Sequence, residues 1–387
     1  MDQGTKPVRR MSKSFAEKAL LLVMCLSVGF VGGWAGSRSD ENGVDTSTKS
    51  QQQYIASESQ LINKIAKDVS PSVVSVNVTG ITNTQSFFGP SQQQTQSAGT
   101  GVIISEEGTI ITNRHVVPLG TEKVSVTLSD GTTLDTDVIG RTNDNDTLDV
   151  AFLKVADKKG KKLVAAKLAD SSKVQVGDKV VAIGNALGQF QNTVTSGIIS
   201  GYGRSIEAGD GSGTSSETLQ NLFQTDTAIN KGNSGGPLVN TSSEVIGINT
   251  AVAGNAENIG FTIPINDIQG LIKSVLKDGK LLRPYLGVRY VSLTDDYAYQ
   301  YNLEVKRGAY LAPSQSQSAV LENSPASKAG LQEKDIIVKI NGTSIDESNS
   351  LTSILGRSSV GDKVKLQVLR SGKTVELTAT LEATPEI

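Results

Sequence analysis

The segment NKGNSGGPLVN, residues 230–240, decides which fold the rest of the chain can adopt. Its G-x-S-x-G spacing is that of a serine nucleophile, although a serine beside glycine is more often a turn residue. In the nucleophile elbow, a helix follows the serine and the histidine lies downstream in the chain. Here two glycines and Pro237 follow Ser234, and no histidine lies beyond it. The sequence therefore excludes the nucleophile elbow.

The only histidine of the chain is His115, in the segment IITNRHVV (110–117). A serine hydroxyl attacks an amide at neutral pH only when a base removes its proton, and imidazole has a suitable pKa of about 6.5. The order His, Asp, Ser along the chain is that of chymotrypsin-type sites. If a histidine activates Ser234, it must be His115.

The carboxylate that orients the imidazole is harder to choose, because eleven aspartates lie between these two residues. Asp149 has the best local argument, since it begins the apolar run of DTLDVAFLKV (146–155) on the face that also carries Ala151. A buried carboxylate needs a partner, and the ring N–H of His115 would supply one. Asp146 is the alternative. Two further aspartates are better explained as turn residues: Asp144 and Asp226.

The glycines around Ser234 have a chemical purpose in such a site. The backbone N–H groups of Gly232 and Ser234 can converge on the oxygen of a tetrahedral intermediate, and glycine permits the sharp backbone turn that this requires. We therefore predict that Gly232 and Ser234 form an oxyanion hole.

Composition excludes several classes of function. The chain has 387 residues and a formal charge of −2, with no stripe of Lys and Arg, which argues against nucleic acid as a partner. One histidine and one cysteine, Cys25, exclude an intrachain disulfide and a zinc site built from several such residues. We predict neither a cofactor nor a metal. An aromatic content of 4% and 39 glycines favour short strands and tight turns.

The N-terminal segment is predicted to lie outside the globular fold. Residues 1–18 are basic, and an uncharged run long enough to cross a membrane follows over residues 19–36. The positive-inside rule keeps the basic end in the cytoplasm and places the rest of the chain outside, in a periplasm or at the cell surface. A cleaved signal peptide is the alternative to this signal anchor. Residues 37–56 are polar and aperiodic, which predicts a flexible tether.

Two globular units are predicted after the tether. Between residues 100 and 265, short apolar runs are separated by Gly, Asn and Asp, which indicates an antiparallel barrel or sandwich. Helical patterns flank this region over residues 57–70 and 265–280. The first unit is therefore mostly β and spans 57–280. A second, α+β unit spans 281–384.

Several motifs of the chain resemble the HtrA (high-temperature-requirement) or Deg family of serine endoproteases: TNRHVV, DTLDVAFLKV, GNSGGPL, VSPSVVSV and IGFTIPI. The resemblance runs through essentially all of residues 61–276, and residues 283–382 are similar to the PDZ domain of such proteases. It implies a chymotrypsin-like double β-barrel followed by a PDZ domain, with a triad of His115, Asp149 and Ser234. It also implies a homotrimer that cleaves misfolded or signalling proteins outside the cytoplasm.

Two positions depart from the family pattern. Arg114 stands where Asn is more usual, and Lys231 stands where Pro often stands. Neither position is expected to carry chemistry. A function of a different class, a chaperone or peptide-sensing scaffold with little catalysis, is the alternative, and the intact set of triad residues argues against it. A pure PDZ adaptor would leave two thirds of the chain unexplained.

The primary specificity pocket of a chymotrypsin-like fold has its base six residues before the nucleophile, which is Ala228 in this chain. No acid stands there to hold Lys or Arg, so the pocket is expected to be small and apolar. The predicted walls are Ile229, Asn249, Thr250 and Ala251. We therefore predict cleavage after Val, Ala or Ile in unfolded chains.

The motif YLGV in the second unit corresponds to the PDZ loop whose backbone amides bind the terminal carboxylate of a peptide. Leu355 is explained equally well as a groove residue or as a core residue. The family suggests that the loop 200–220 senses the state of the PDZ domain through Arg204, and peptide binding is then expected to raise turnover. The predicted peptide-binding residues are Tyr285, Leu286, Gly287, Val288, Leu351 and Ile354.

Overall fold

The computed structural model describes residues 13–40, 45–86, 89–144, 146–186, 190–209, 216–230, 232–252, 259–312, 317–347 and 349–384. The chain forms two compact units, Met1–Leu61 and Ile62–Ile387. The first unit contains helix α1 (Lys13–Asp40) and the beginning of helix α2 (Asp45–Val69).

The N-terminal helices differ from the sequence-based predictions in two respects. Helix α2 begins at Asp45, so part of the tether predicted over residues 37–56 is helical. Gln, Lys and Ala favour helix, and extending the helix that is predicted from Ser57 needs no new nucleus. Within the described part of the chain, no helix is long and apolar enough to cross a membrane. The predicted anchor over residues 19–36 is therefore not supported.

The first half of the β unit is a closed antiparallel barrel of six strands. Their bounds are β1 (Val73–Ser86), β2 (Gly89–Ile103), β3 (Thr109–Thr112), β4 (Thr121–Thr127), β5 (Thr133–Arg141) and β6 (Ala151–Val155). They pair in the order β1-β2-β3-β6-β5-β4. Alternating residues of β1, namely Val74, Val76 and Val78, are buried in the barrel core. The loop between β3 and β4 and the loop between β5 and β6 carry His115 and Asp149.

A second closed barrel of six strands follows and has its own apolar core. Its strands are β7 (Lys179–Ala186), β8 (Phe190–Gly209), β9 (Ser216–Thr225), β10 (Pro237–Val239), β11 (Val245–Val252) and β12 (Gly260–Pro264). They pair in the order β10-β11-β12-β9-β8-β7. The predicted double barrel is thus confirmed. Ser234 lies in the connection between β9 and β10.

The helix predicted over residues 265–280 closes the second barrel. It begins as a 3-10 turn over Ile265–Ile268 and continues as helix α3 (Gln269–Asp278). Gly279 ends it in the left-handed region with a φ of 65°, a conformation that costs glycine little.

The second part of Ile62–Ile387, after α3, is an α+β unit. Its elements are β13 (Pro284–Tyr285), β14 (Val291–Ser292), α4 (Asp295–Gln300), β15 (Ala309–Tyr310), α5 (Pro325–Ala329), β16 (Ile336–Ile340), β17 (Thr343–Ser344), α6 (Leu351–Gly356), β18 (Lys363–Arg370), β19 (Lys373–Thr380) and β20 (Glu382–Ala383). The main sheet has the order β14-β15-β16-β18-β19, and β13 pairs with β20. Ser371 and Gly372 turn the β18–β19 hairpin with φ values of 48° and 77°, which is the geometry of a tight hairpin turn.

Helices α3 and α6 bring the β unit and the α+β unit into close contact. A Cβ atom on Gly270 would lie 2.8 Å from the carbonyl oxygen of Gly356, and one on Gly356 would lie 2.7 Å from the carbonyl carbon of Asp267. Two glycines therefore allow the backbones to approach more closely than side chains would permit. Asp267 is buried at this contact, and the side-chain amide of Asn221 donates to its Oδ2 over 2.6 Å.

Burial raises the pKa of Asp267 to about 6, against hydrogen bonds from Ser353 and Asn221 and the charge of Arg357, which lower it. A carboxyl whose pKa is raised by folding stabilises the fold when it is neutral. This contribution is complete below about pH 4, the usual pKa of aspartate, and it is lost as the pH rises through 6.

Asp267→Asn is therefore expected to increase the free energy of unfolding at pH 8 by on the order of 3 kcal/mol and to leave it almost unchanged at pH 4. Denaturant unfolding of the wild type and the variant at several pH values measures this difference. Asp278→Asn, at the exposed end of α3, is the control. If the free energies of unfolding of the wild type and the variant differ by the same amount at pH 8 as at pH 4, the raised pKa of Asp267 is contradicted.

Candidate active site

His115 is held at the edge of the first barrel by the turn that follows β3. The N–H of Val117 donates to the carbonyl of Arg114 over 3.0 Å, and the side chains of Val116 and Val117 are buried in the barrel core. The imidazole of His115 is 44% exposed. Buried neighbours thus fix the backbone while the ring faces outward.

Asp149 binds both the ring and the backbone of His115. Its Oδ2 lies 2.7 Å from Nδ1 of the imidazole, and its Oδ1 accepts the backbone N–H of His115 over 3.0 Å. Two further bonds fix the aspartate: the Thr250 hydroxyl donates to Oδ2 over 2.6 Å, and the Asn113 side-chain amide donates to its backbone carbonyl over 2.9 Å. The choice of Asp149 over Asp146 as the partner of His115 agrees with this geometry.

The electrostatics favour an ionised Asp149. Burial of its side chain would raise the pKa of Asp149, but the charge of His115 and hydrogen bonds from His115 and Thr250 outweigh burial and hold the pKa below its usual value. An ionised carboxylate accepts the Nδ1–H of the imidazole. The other ring nitrogen, Nε2, then carries the lone pair that a general base needs.

The segment around Ser234 packs against the residues on both sides of His115. The carbonyl of Ser234 accepts the N–H of Thr100 over 2.9 Å. A Cβ atom on Gly99 would lie 2.6 Å from Val116 and 3.3 Å from the Ser234 carbonyl. A Cβ atom on Gly235 would lie 3.2 Å from the N atom of Asn113 and would collide with Thr100. Small residues at these positions therefore let the serine loop of the second barrel reach the histidine loop of the first.

Strand β11 touches both Asp149 and the serine loop. The N–H of Gly235 donates to the carbonyl of Asn249 over 2.8 Å, and the N–H of Asn249 donates to the carbonyl of Gly236 over 2.9 Å. The next residue, Thr250, donates to Asp149. Two consecutive residues of one strand, Asn249 and Thr250, thus bind the loop that carries Ser234 and the carboxylate of Asp149.

The predicted oxyanion hole lies in a tight turn. Gly232 has a φ of 127°, which favours glycine, and its carbonyl accepts the Thr100 hydroxyl over 2.5 Å. Asn233 closes the turn, since its side chain accepts the N–H of Asn230 and donates to the carbonyl of Ala228. In the described part of the chain, no acceptor binds the backbone N–H of Gly232 or Ser234. Both groups can therefore donate to a substrate oxygen.

The residues predicted to form the specificity pocket differ from one another in burial and in contacts. Ala228 is exposed, whereas Ile229 is 3% exposed and packs in the core of the second barrel. Asn249 is buried and its amide donates to the carbonyl of Pro237 over 3.2 Å. Thr250 is committed to Asp149, and the side chain of Ala251 lies outside the described residues. Thr250 and Asn249 therefore support the catalytic loops, and nothing in the sequence marks them for this role.

The PDZ domain presents the predicted carboxylate-binding loop at the edge of a cavity. The cavity has a volume of about 210 Å³, and the loop 285–288 lines it together with Leu351 and Leu355 of α6. Ile354, predicted to line the groove, instead belongs to the PDZ core and is 6% exposed. Ser350 caps α6, because its side chain accepts the N–H of Ser353. Three residues of the β unit also line the cavity: Leu148, Asp267 and Leu271.

The hairpin of β8 and β9 reaches the PDZ domain through Gly203 rather than through the side chain of Arg204. A Cβ atom on Gly203 would collide with the carbonyl of Glu347 in the PDZ domain. Arg204 donates to the side chain of Gln224 in its own hairpin over 3.0 Å. The middle of the predicted sensing loop, residues 210–215, lies outside the described residues.

Removing the Thr250 hydroxyl tests whether the carboxylate needs its third hydrogen bond. Thr250→Val is expected to lower kcat/KM about 10- to 10²-fold, because a hydrogen bond to a charged group is lost at constant side-chain volume. Thr250→Ser retains the hydroxyl and is expected to retain most of the activity. Steady-state kinetics on a peptide substrate measure both variants. Equal loss in both variants would show that shape, not the hydrogen bond, matters.

Comparisons with known proteins agree with this architecture. Residues 99–248 match the trypsin-like peptidase domain, and residues 284–381 match the PDZ domain. The Serine protease Do-like HtrB of Bacillus subtilis (strain 168) is 41% identical over 341 residues, which cover 83% of this chain and 70% of the relative. The Periplasmic pH-dependent serine endoprotease DegQ of Escherichia coli (strain K12) is 39% identical over 331 residues, which cover 81% of this chain and 68% of the relative.

Solved structures show the same arrangement. The HtrA-type protease AlgW, solved with a decapeptide, superposes with a TM-score of 0.58 at 30% identity, over 84% of this chain and 99% of that chain. Two barrels, a PDZ domain and relatives of this similarity lead to one assignment. The chain belongs to the HtrA, or Deg, family of serine endoproteases.

Proposed function

We propose that Ser234, His115 and Asp149 form the catalytic triad of this endopeptidase. One observation carries the proposal: Asp149 binds the ring and the backbone of the only histidine in the chain, beside the loop that bears Ser234. His115 Nε2 removes the proton of the Ser234 hydroxyl as its oxygen attacks the scissile carbonyl. The imidazolium then protonates the leaving amine, and an acyl-enzyme remains on Ser234.

Hydrolysis of the acyl-enzyme repeats the same steps with water. His115 removes a proton from the water that attacks the ester, and Ser234 leaves with that proton. Gly232 and Ser234 donate their N–H groups to the oxyanion in both halves of the reaction. Loss of one such donor typically costs about 10²- to 10³-fold in rate.

The proposed substrates are misfolded or signalling polypeptides outside the cytoplasm. The relatives named as periplasmic endoproteases support this location. Ala228 offers no charge for a basic residue, so cleavage is proposed after Val, Ala or Ile. A homotrimer and a single-pass anchor over residues 19–36 remain part of the proposal on the strength of the resemblance and of the uncharged run. Release of the protein from membranes by an alkaline wash would refute the anchor.

Regulation by peptide C-termini is supported by where the PDZ cavity lies. Its lining includes Leu148, the neighbour of Asp149, and Arg283, which forms an ion pair with the carboxylate of Asp146. Burial lowers the pKa of Arg283 to about 10, so the guanidinium stays charged at neutral pH. A peptide that enters this cavity therefore meets the loop that leads to Asp149.

Catalysis is tested with Ser234→Ala and two peptides that differ only in Val or Arg before the scissile bond. The wild type is expected to cleave the Val peptide and casein, and Ser234→Ala is expected to lose about 10⁴- to 10⁶-fold in turnover. Ser242→Ala, at an exposed turn, is the control. If Ser234→Ala still cleaves the substrates, the proposed triad is contradicted. If the wild type binds unfolded protein but does not cleave it, the chaperone alternative is supported. Preference for the Arg peptide removes only the pocket assignment.

Regulation is tested by adding a peptide with an apolar C-terminal residue, either as the free acid or as the amide. The free acid is expected to raise turnover about fivefold or more, and the amide is not, because it lacks the carboxylate. Leu355→Lys, in the cavity, is expected to abolish the activation, whereas Leu377→Lys, at a half-buried position outside it, keeps it. Activation by the amide, or in the Leu355 variant, contradicts the proposed site.

A further inference from the structure

Arg114 is one of the largest side chains that are fully buried in the molecule, with 1% of its surface exposed. It directly precedes His115. A buried guanidinium is costly unless its charge and its N–H groups are satisfied. Its surroundings therefore have to compensate for this cost, and they show what the side chain holds in place.

Arg114 contacts residues on both sides of position 145, within 142–144 and 146–148, and we call these residues the pre-aspartate loop. Its Nη1 donates to the carbonyl of Asn143, to the carbonyl of Leu148 over 3.0 Å and to the Thr142 hydroxyl over 3.3 Å. The carbonyl of Asp146 lies 3.4 Å from the same atom. The carboxylate of Asp144 lies 3.9 Å from Nε. Peptide oxygens and one exposed carboxylate thus balance the buried charge.

These contacts join the chain just before His115 to the chain just before Asp149. Arg114 is one residue from His115, and Leu148, whose carbonyl it binds, is one residue from Asp149. The Thr142 hydroxyl also donates to the carbonyl of Leu148 over 2.6 Å. These hydrogen bonds therefore connect the two chain segments that carry the imidazole and the carboxylate, in addition to the hydrogen bond between the two side chains.

We propose that Arg114 is a positioning residue for catalysis. It holds Asp149 at the distance and orientation that His115 needs, and the expectation that this position has no chemical role is replaced. The inference rests on the proposed triad. Misplacement of a catalytic group by about 1 Å can cost about 10²-fold in rate. Lysine keeps the positive charge, but a compact ammonium group on a flexible four-carbon stem replaces the rigid guanidinium.

The test compares Arg114→Met, Arg114→Lys and the wild type, with kcat expressed per site labelled by a fluorophosphonate. Arg114→Met is expected to lower kcat about 10²-fold with KM almost unchanged for a short peptide substrate, since the residues predicted to form the specificity pocket lie outside the pre-aspartate loop. Arg114→Lys is expected to recover part of the loss. Arg370→Met is the matched control, because Arg370 is paired with the buried carboxylate of Asp335 away from this loop, and it is expected to change stability without changing kcat per labelled site.

The outcomes separate this inference from the triad itself. If Arg114→Met, or Arg114→Lys where the Met variant does not fold, keeps the wild-type kcat while its unfolding midpoint falls, Arg114 is only structural. A rise in KM at constant kcat likewise overturns the inference. If Ser234→Ala, measured beside them, keeps the wild-type activity, the triad fails instead. Loss of kcat in both Arg114 variants, larger for Met and absent in the Arg370 control, supports the positioning role.

Discussion

The rest of the active site depends on one set of interactions. In it, His115 and Thr250 bind the buried carboxylate of Asp149. Burial alone would favour the neutral acid, and only these partners keep the charge inside the protein. Each partner comes from a different element: the loop after β3 and the strand β11. Groups from both barrels therefore stabilise the ionised carboxylate inside the folded protein.

Close backbone contacts bring the nucleophile to this carboxylate. Gly99 and Gly235 leave no room for a Cβ between the serine loop and the residues around His115. The same device recurs between the domains, where Gly270 and Gly356 let α3 and α6 touch. In both places, the absence of a side chain on glycine allows a short distance between the two backbones. The PDZ cavity consequently lies next to Leu148, one residue from the catalytic carboxylate.

The parts of this account that the sequence predicts are those that depend on residue type and order. One histidine, a serine among glycines and an aspartate at the start of an apolar run predict a site of His115, Asp149 and Ser234, and the structure joins His115 to Asp149. Alternating apolar residues predict the barrels. Thr250 is not predictable in this way, because its contact with Asp149 depends on the register of β11. Likewise, Ile354 and Leu355 are adjacent apolar residues of α6, and which of them lines the cavity depends on how the helix packs in the fold.

The single histidine makes the central claim directly measurable by NMR, since ¹⁵N-labelled histidine gives one imidazole spin system. The account predicts a low-field Nδ1–H proton that is lost in Asp149→Asn, and ring signals that shift when a fluorophosphonate modifies Ser234. Imidazole signals that stay unchanged after both alterations would contradict it, because the ring would then contact neither the carboxylate at position 149 nor the serine at position 234.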